Sequence, residues 1–357
     1  MPLNPQLNSI KKGTPMKQDI VVLAAGKGSR MKSAISKVLH PIGGRAMVRH
    51  VLGTASQLND AKLHLIVGHQ GEQVAAHCQD FQANVVWQNN PQGTGDALRR
   101  VAADLHPQGS TLTLYGDVPL IRQTTLAKMQ ALASDNTLVL LTVVLANPAG
   151  YGRIVRNAAG QVTAIVEHKD ATLEQQQIQE VNTGILLAPN GPLLGWLDRL
   201  SNNNSQGEYY LTDIIAMAAE AGLNIATVHP EDEAEVTGVN DRLQLSWLER
   251  QFQLQQAKRL MTDGLTLLDP ARFDLRGNLT MGMDCSIDIN CLIEGEVILG
   301  DNVHIGANCH LKNCTIGNHS QIKSNSLIEG SQLAESCDIG PFARLRPGTQ
   351  LADNAKI

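Results

Sequence analysis

The C-terminal part of the chain repeats a large aliphatic residue every six positions, and this period constrains the fold more than any other feature. The repeat positions, with two slips of one residue, are Ile287, Ile293, Leu299, Ile305, Leu311, Ile316, Ile322, Ile328, Leu333, Ile339, Leu345, Leu351 and Ile357. A small residue usually stands two positions earlier, and glycine often follows the aliphatic residue. One large and one small inward residue per six suits a narrow prism of short parallel strands, with tight corners that glycine can occupy. The pattern predicts a left-handed parallel β-helix over residues 265–357, in which Cys309, Cys314 and Cys337 are packed structural thiols.

Residues 16–241 alternate apolar runs with amphipathic stretches. The predicted strands are residues 20–24, 62–67, 84–88, 111–115, 138–144, 162–167 and 181–187, with helices at 46–58 and 124–133 among them. This alternation predicts an α/β, Rossmann-like domain with a mostly parallel sheet covered by helices on both faces. Ligands of such sheets bind beyond the carboxyl ends of the strands. The pattern over residues 242–264 predicts a linker helix that ends at Gly264, and residues 1–15 are interpreted as a loose extension.

Composition limits the class of ligand. The chain has 357 residues, of which 43% are hydrophobic and 18% charged, so it is long enough for two ordinary cores. A net charge of -5 without a long Lys/Arg block argues against a nucleic-acid or anionic-membrane partner. No apolar stretch reaches the roughly 20 residues of a membrane span, and the N-terminus lacks the apolar core of a signal peptide. Six cysteines without a CxxC pair favour reduced thiols in the cytoplasm.

The stretch LAAGKGSRMKSAISK follows the apolar run 20–23 and predicts a phosphate site. It lacks the third glycine of a dinucleotide-binding loop, since Met31 stands there, and it lacks the Gly-Lys-Ser/Thr of a P-loop. What remains is a glycine turn whose backbone N–H groups can face an anion, followed by Arg30 and Lys37. Further along, Asp117 ends a predicted strand, at the edge where ligands bind, which favours a Mg²⁺ ligand.

Several motifs in order resemble one known family. They are LAAGKGSRM, KVLHPIGGRAM, Gln88 with Gly93-Thr94, LYGDVPL, GYGRI, IVEHKDA, NTGI, QGEYYLTDII, GVNDRLQL and GPFARLRPG. Together they resemble the bacterial bifunctional UDP-N-acetylglucosamine pyrophosphorylase/glucosamine-1-phosphate N-acetyltransferases over residues 19–357.

The resemblance implies a role for each matching residue. Arg30, Lys37 and Asp117 correspond to catalytic positions, and Asp117 with Asn240 to the Mg²⁺ ligands. The other implied substrate-binding positions are Leu23, Ala24, Ala25 and Gly26 for the nucleotide, Gln88, Gly93 and Thr94 for uracil, Tyr115 and Gly116 for ribose and sugar, and Gly152, Glu167 and Asn182 for N-acetylglucosamine. Arg346 corresponds to a sugar-phosphate contact of the acetyltransferase site.

The implied activity is Mg²⁺-dependent transfer of UMP from UTP to N-acetylglucosamine-1-phosphate, giving UDP-N-acetylglucosamine, a cell-wall precursor, and pyrophosphate. The resemblance also implies a cytoplasmic homotrimer assembled through the β-helix. The acetyltransferase His and Lys of the family would lie beyond Ile357, so we expect a truncated acetyltransferase domain and no acetyl transfer if the protein ends there. Acetyl-CoA-dependent acetylation of glucosamine-1-phosphate would contradict this expectation.

Two positions depart from the family pattern, and two rival interpretations remain. Ser36 stands where the family has proline, and Asp96 stands where it has histidine; we expect weaker substrate binding at most. One rival is another sugar-1-phosphate nucleotidyltransferase, against which Gln88, Glu167 and Asn182 speak. The other is a non-catalytic nucleotidyltransferase-like interaction subunit, against which the joint presence of the catalytic and metal positions speaks.

Overall fold

A computed structural model describes residues 17–58 and 60–357, so the predicted extension 1–15 lies outside the described residues. The strands are β1 (Gln18–Ala24), β2 (Pro41–Ile42), β3 (Arg45–Ala46), β4 (Ala61–Val67), β5 (Asn84–Trp87), β6 (Ser110–Tyr115), β7 (Thr137–Val144), β8 (Arg153–Arg156), β9 (Val162–Val166), β10 (Glu180–Pro189), β11 (Asn224–Val228), β12 (Thr266–Leu267), β13 (Phe273–Met281), β14 (Ser286–Ile287), β15 (Cys291–Leu299), β16 (His304–Ile305), β17 (His310–Ile316), β18 (Gln321–Ile322), β19 (Leu327–Glu329), β20 (Gln332–Leu333), β21 (Asp338–Ile339), β22 (Arg344–Leu345) and β23 (Gln350–Leu351). The α-helices are α1 (Met47–Ala55), α2 (Gly71–His77), α3 (Thr94–Val101), α4 (Gln123–Leu132), α5 (Asn190–Arg199), α6 (Asp213–Glu220) and α7 (Arg242–Thr262).

The chain forms two compact units. Among the described residues, unit 1 takes in 17–27 together with Val51–Gly116 and Ile121–Val236. Unit 2 takes in Gly28–His50, Asp117–Leu120 and Thr237–Ile357. No helix among the described residues combines the length and the apolar character of a membrane span.

Unit 1 is built on a nine-stranded sheet with the order β11-β7-β10-β6-β1-β4-β5, and β8 and β9 extend it beside β10. Strands β6, β1, β4 and β5 are parallel, as are β7 and β11, whereas β10 runs antiparallel to its neighbours. The central strands are continuous apolar runs because both of their faces are covered. Val21 of β1, Leu138 of β7, Leu98 of α3 and Ile214 of α6 share one buried cluster. The predicted α/β fold with its parallel centre is confirmed.

Unit 2 begins with the loop 28–40 and the β2–β3 hairpin and continues through α7 into a solenoid of short parallel strands. Two of its sheets have the orders β12-β14-β16-β18-β21 and β13-β15-β17-β19-β22. Each strand pairs with the one a coil earlier, as in Ser286 with His304 and His304 with Gln321. All of the repeat aliphatics from Ile287 to Leu345 are buried, as are Cys309, Cys314 and Cys337. The six-residue period therefore predicted both the β-helix and its inward positions.

The corners of the solenoid differ from the expectation that glycine would occupy them. The left-handed conformation falls three residues after the aliphatic position and is mostly adopted by asparagine, as at Asn290, Asn308 and Asn325. Asparagine tolerates this conformation, and these three side chains also hydrogen-bond from coil to coil at 3.0 and 3.2 Å. Glycine is needed for another reason, since a Cβ at Gly306 would lie 2.7 Å from the backbone nitrogen of Ser324 in the next coil.

Candidate active site

The predicted nucleotide residues of unit 1 meet at the carboxyl edge of its parallel strands. Leu23 and Ala24 end β1, and the carbonyl of Leu23 accepts a hydrogen bond from the N–H of Gly116 at 2.9 Å. Ala25 and Gln88 lie on either side of Gly68, where a Cβ would be 2.9 Å from both of their carbonyl oxygens. The ends of β1, β5 and β6 thus bring the glycine turn, Gln88 and Gly116 to one edge, while Gly26 is exposed.

Two hydrogen bonds donated by its amide nitrogen hold the Gln88 side chain in place. It is 3% exposed, and its Nε2 donates to the carbonyl of Gly93 at 3.1 Å and to Oδ2 of Asp96 at 2.7 Å. Oδ1 of Asp96 accepts a hydrogen bond from Nε of Arg100 at 3.2 Å and forms an ion pair with its NH2 at 3.1 Å; Arg100 lies one turn further along α3. The negative charge of Asp96, one of the two departures from the family pattern, is therefore buried and paired with a cation.

Gly93 and Thr94 are fixed by the segment 208–211. Gly93 has φ 105°, and a Cβ there would lie 2.6 Å from the carbonyl oxygen of Tyr209, so the position requires glycine. Thr94 Oγ1 accepts from the N–H of Leu211 at 3.2 Å, and the N–H of Gly95 donates to the carbonyl of Tyr209 at 2.8 Å. These hydrogen bonds fix the start of α3, which carries Asp96, to the segment 208–211 of the same unit.

The three predicted sugar residues are neighbours in unit 1. The N–H of Asn182 donates to the carbonyl of Gly152 at 2.9 Å, and a Cβ on Gly152 would lie 3.5 Å from Oε1 of Glu167. Thr212 Oγ1 donates to the same Glu167 oxygen at 3.0 Å. Burial raises the pKa of the Glu167 carboxyl, the Thr212 hydrogen bond lowers it, and the nearby carboxylates of Asp170 and Asp213 raise it further; the net shift is upward.

An irregularity in β10 places Gly184 against the Tyr115 ring. The register of β10 against β7 shifts between Asn182 and Leu186, and the N–H of Gly184 donates to Asn182 Oδ1 at 3.0 Å. Gly184 has φ 87°, and a Cβ there would lie 2.5 Å from the Tyr115 ring. The NTG motif therefore bends the strand and leaves room for Tyr115 to pack against it.

The predicted catalytic and metal residues of unit 2 form two pairs. The Lys37 ammonium forms an ion pair with Oδ2 of Asp117, and both side chains are largely buried. Arg30 donates from NH2 to Oδ1 of Asn240 at 2.9 Å. The N–H of Val239, next to Asn240, donates to the carbonyl of Asp117 at 2.9 Å, so the two pairs are close. Each residue predicted to hold phosphate thus contacts a residue predicted to hold metal.

The loop that carries the two cations is closely packed within unit 2. Gly28 has φ 59°, and a Cβ there would lie 2.5 Å from Cβ of Lys37, so glycine lets the loop fold back on itself. The 3₁₀ turn Ser29–Met31 follows, and Arg242 of α7 supports it by donating from Nε to the carbonyl of Met31 at 3.2 Å. The loop 28–40 is therefore positioned by the first turn of α7.

Asp117 and Asn240 fit a hard divalent metal ion. A carboxylate and an amide oxygen are the donors that such ions prefer, and each of these oxygens already accepts a cationic group. Within residues 17–58 and 60–357 there is no cluster of three or more His, Cys, Asp or Glu side chains arranged for a metal. A site of one carboxylate and one amide would leave the remaining positions to substrate phosphates and water, as is usual for Mg²⁺.

Arg346 stands apart from these groups. It is exposed next to β22 on the β-helix, where its carbonyl accepts from Ser331 Oγ at 3.2 Å and from Thr349 Oγ1 at 2.7 Å. Its predicted sugar-phosphate contact stays a prediction.

Comparison with known proteins agrees with this architecture. Residues 20–181 match the MobA-like NTP transferase domain, and residues 275–357 match the GMPPB C-terminal domain. A relative from Marinomonas sp. (strain MWYL1), named Bifunctional protein GlmU, is 70% identical over 342 residues, which cover 96% of this chain and 76% of the relative. The chain belongs to the GlmU family. GlmU proteins of Marinobacter nauticus and Cellvibrio japonicus are each 55% identical, over 95% of this chain and 74% and 75% of their own lengths.

GlmU membership confirms the resemblance found in the motifs and makes the chain a nucleotidyltransferase enzyme. The non-catalytic interpretation is not favoured, nor is another sugar specificity. A solved structure from Bacillus anthracis, described as a candidate glucose-1-phosphate thymidylyltransferase, is 17% identical with a TM-score of 0.51 and covers 65% of this chain and 94% of its own. At that identity it supports the fold alone.

Sequence reasoning missed the contacts that hold the predicted site residues in place. Thr212 orients Glu167, Arg242 supports the loop 28–40, and Asp96 with Arg100 orients Gln88. The motifs QGEYYLTDII and GVNDRLQL contained two of them, but neither motif told what the side chains contact. The four-residue spacing of Asp96 and Arg100 on a helix was the one available signal.

Proposed function

We propose that this chain transfers UMP from UTP to N-acetylglucosamine-1-phosphate, giving UDP-N-acetylglucosamine and pyrophosphate. A phosphate oxygen of the sugar phosphate attacks the α-phosphorus of UTP, and the bond from that phosphorus to the pyrophosphate oxygen breaks. The second pKa of a phosphate monoester is near 6, so the nucleophile is already mostly ionised and needs no strong base. Positioning and charge stabilisation are then what the protein must supply.

The pairing of Lys37 with Asp117 and of Arg30 with Asn240 carries this proposal. The reaction brings several anions together, and each pair of unit charges near 4 Å costs about 4 kcal/mol at an effective dielectric of 20. Lys37 and Arg30 would turn from their protein partners to the phosphates. In the same step they would free the oxygens of Asp117 and Asn240 to accept a metal ion.

We propose Mg²⁺ as that ion, held by Asp117 and Asn240. When bound, it would neutralise phosphate charge and hold the phosphates in line for displacement. Lys37 and Arg30 would keep the phosphates oriented, and backbone N–H groups of the glycine turn would be further donors to an anion.

The residues of unit 1 would bind the rest of the substrates. Gln88, Gly93 and Thr94 would read the uracil, the glycine turn 23–26 and Gly116 would hold the nucleotide through backbone groups, and Tyr115 would contact the ribose. Glu167 and Asn182, beside Gly152, would accept and donate hydrogen bonds to the acetamido sugar. Gln88 and Asn182 are buried, which favours discrimination, because a ligand that leaves one of these side chains unpaired loses binding energy.

We further propose a cytoplasmic enzyme that forms a homotrimer through its β-helix, with the segments 16–241, 242–264 and 265–357 as its functional divisions. Sedimentation of the purified chain would distinguish a trimer from a monomer.

The test is the rate of pyrophosphate release from UTP and N-acetylglucosamine-1-phosphate with Mg²⁺, compared for two matched variants. Lys37→Gln removes the paired ammonium and should lower kcat/KM by about 100-fold or more, since an ionic contact made in the transition state is lost. Lys32→Gln removes an exposed ammonium five positions earlier in the same loop and should leave the rate within about twofold. Equal rates for the two variants would contradict the assignment of Lys37.

A further inference from the structure

The contacts of Gln88 determine which end of its amide faces away from the protein. The group near Gly93 and Asp96 touches a carbonyl oxygen at 3.1 Å and a carboxylate oxygen at 2.7 Å, and both of these atoms are acceptors. Only the NH₂ end of the amide can satisfy both contacts. Its oxygen, Oε1, is therefore the end of the amide that is left for a ligand.

Asp96 is itself held in one orientation. Arg100 contacts only Oδ1 of Asp96, which leaves Oδ2 for Gln88. Asp96 is 5% exposed and lies in the first turn of α3, where the helix dipole favours a negative charge. Turning the Gln88 amide over would set its oxygen against the carboxylate and the carbonyl at once, so the amide has one favourable orientation.

We infer that Asp96, fixed by Arg100, is a positioning residue that selects the nucleobase by holding Gln88 with its oxygen toward the ligand. The inference rests on the proposed function, in which Gln88 faces the base. Uracil and thymine carry an N–H donor at N3, which pairs with an amide oxygen. Cytosine carries an acceptor at N3, which an amide oxygen repels. Asp96 accepts hydrogen bonds on both of its oxygens, from Gln88 on Oδ2 and from Arg100 on Oδ1.

The experiment measures the dissociation constants of UTP, CTP and dTTP by calorimetry with Mg²⁺ and without sugar phosphate, on the full chain and two variants. Asp96→Asn keeps the shape, but its amide can accept from Gln88 or donate to it, so both amide orientations become available. Asp104→Asn is the matched control. Asp104 also accepts a hydrogen bond from a side-chain amide, that of Asn84 at 3.1 Å, but Asn84 begins β5, whereas Gln88 follows the last residue of β5.

We expect Asp96→Asn to lower the preference for UTP over CTP by about tenfold, the difference between a charged and a neutral hydrogen-bond partner. The ratio of UTP to dTTP affinity should stay unchanged, since both bases carry the N3 donor. Asp104→Asn should leave both ratios as in the original chain. These ratios are taken within one protein sample, so partial unfolding of a variant cancels.

An Asp96→Asn variant that keeps the original UTP:CTP ratio would overturn the inference and leave the proposed function standing. An equal loss in both variants would also overturn it, since the effect would then be structural. If the original chain binds no UTP, both the proposed function and the inference fail.

Discussion

Ser36, where the resemblance implies proline, has a side chain without a hydrogen-bond partner among the described residues. It is 1% exposed, with φ −54° and ψ 139°, and its hydroxyl has no hydrogen-bond partner among the described residues. A buried unpaired hydroxyl costs about 1–3 kcal/mol. Its backbone already has the φ angle that proline requires. The hydroxyl therefore destabilises the loop 28–40, and proline is compatible with the position.

We predict that Ser36→Pro raises the free energy of unfolding by about 1 kcal/mol and lowers the KM for UTP, because the loop that carries Lys37 is better ordered. Thermal unfolding and steady-state kinetics measure the two effects. Ser36→Ala separates their causes, since it removes the hydroxyl without restricting the backbone. If proline and alanine give the same stability and the same KM, loop order has no part in binding.

Glu167 gives the proposed sugar binding a pH dependence. Burial above all raises the pKa of its carboxyl, and Thr212 opposes the shift by donating a hydrogen bond that favours the charged form. We predict that Thr212→Val moves the rise in KM for the sugar phosphate, which occurs as the pH falls, to a higher pH. The sugar phosphate also titrates, with a second pKa near 6, but it does so equally for both proteins, so the difference between the profiles reports Glu167.

Thr163→Val is the control for this change, because Thr163 donates to a backbone carbonyl, that of Val155, at 3.2 Å. Its KM profile should coincide with that of the original chain. Coincident profiles for all three proteins would contradict a role of the Glu167 carboxylate in sugar binding.

At the scale of elements, the first turn of α7 positions Asn240. Asp241 caps this helix by accepting from the N–H of Gln244 at 2.9 Å, and the Gln244 side chain accepts in return from the N–H of Asn240 at 2.7 Å. This reciprocal arrangement fixes the residue proposed to hold the metal.

We predict that Asp241→Ala costs about 1 kcal/mol of stability and raises the Mg²⁺ concentration needed for half-maximal activity. The first effect follows from the lost cap, and the second from the freed Asn240. Asp263→Ala, at the other end of the same helix, should leave the Mg²⁺ requirement unchanged. A variant at Asp241 that loses stability but keeps its Mg²⁺ requirement would limit the cap to a structural role.

The elements themselves could largely be predicted from the sequence, and their contacts could not. The central strands are continuous apolar runs, so residues 20–24 and 138–144 were found to within two residues of β1 and β7. Strand β8 was missed because Arg153 and Arg156 interrupt its apolar pattern. The apolar pattern of α7 gave no sign that Gln253 is buried. Its side chain accepts from the N–H of Leu275 at 2.7 Å and donates to the carbonyl of Leu275 at 3.0 Å. The burial of a polar side chain on a helix cannot be predicted unless its hydrogen-bond partner is known.

At the scale of the whole molecule, acid stability depends on a buried network away from the proposed site. Asp19 is fully buried at the start of β1 and contacts His64 Nε2 at 3.1 Å and the N–H of His106 at 2.8 Å. Burial alone would raise the pKa of Asp19, but these hydrogen bonds outweigh it and hold the pKa below the ordinary value of 3.8. The stabilisation is therefore complete above about pH 4 and is lost as the pH falls through the lowered pKa.

We predict that Asp19→Asn lowers the free energy of unfolding by about 3 kcal/mol at pH 7, since charged hydrogen bonds to a buried group are lost. The difference from the original chain should narrow below pH 4, where the carboxylate of the original chain becomes protonated. Denaturant unfolding at several pH values measures this, with the exposed Asp135→Asn as the control. A difference that does not change with pH would contradict the role of the Asp19 charge.

The candidate site could be predicted at this scale only through resemblance. Periodicity separated the two kinds of fold, but the pairing of Arg30 with Asn240 joins residues 210 positions apart, and that of Lys37 with Asp117 joins residues 80 apart. No local pattern encodes such distances. The motifs supplied the residues, and the structure supplied the pairing of each cation with an oxygen ligand.

The most direct test of the account is the release of pyrophosphate by the purified chain across UTP, ATP and dTTP, each with N-acetylglucosamine-1-phosphate or glucose-1-phosphate, with and without Mg²⁺. We predict that UTP with N-acetylglucosamine-1-phosphate gives the highest kcat/KM, and that release stops when Mg²⁺ is chelated. No release from that pair, or a higher kcat/KM for dTTP with glucose-1-phosphate, would contradict the proposed uridylyl transfer.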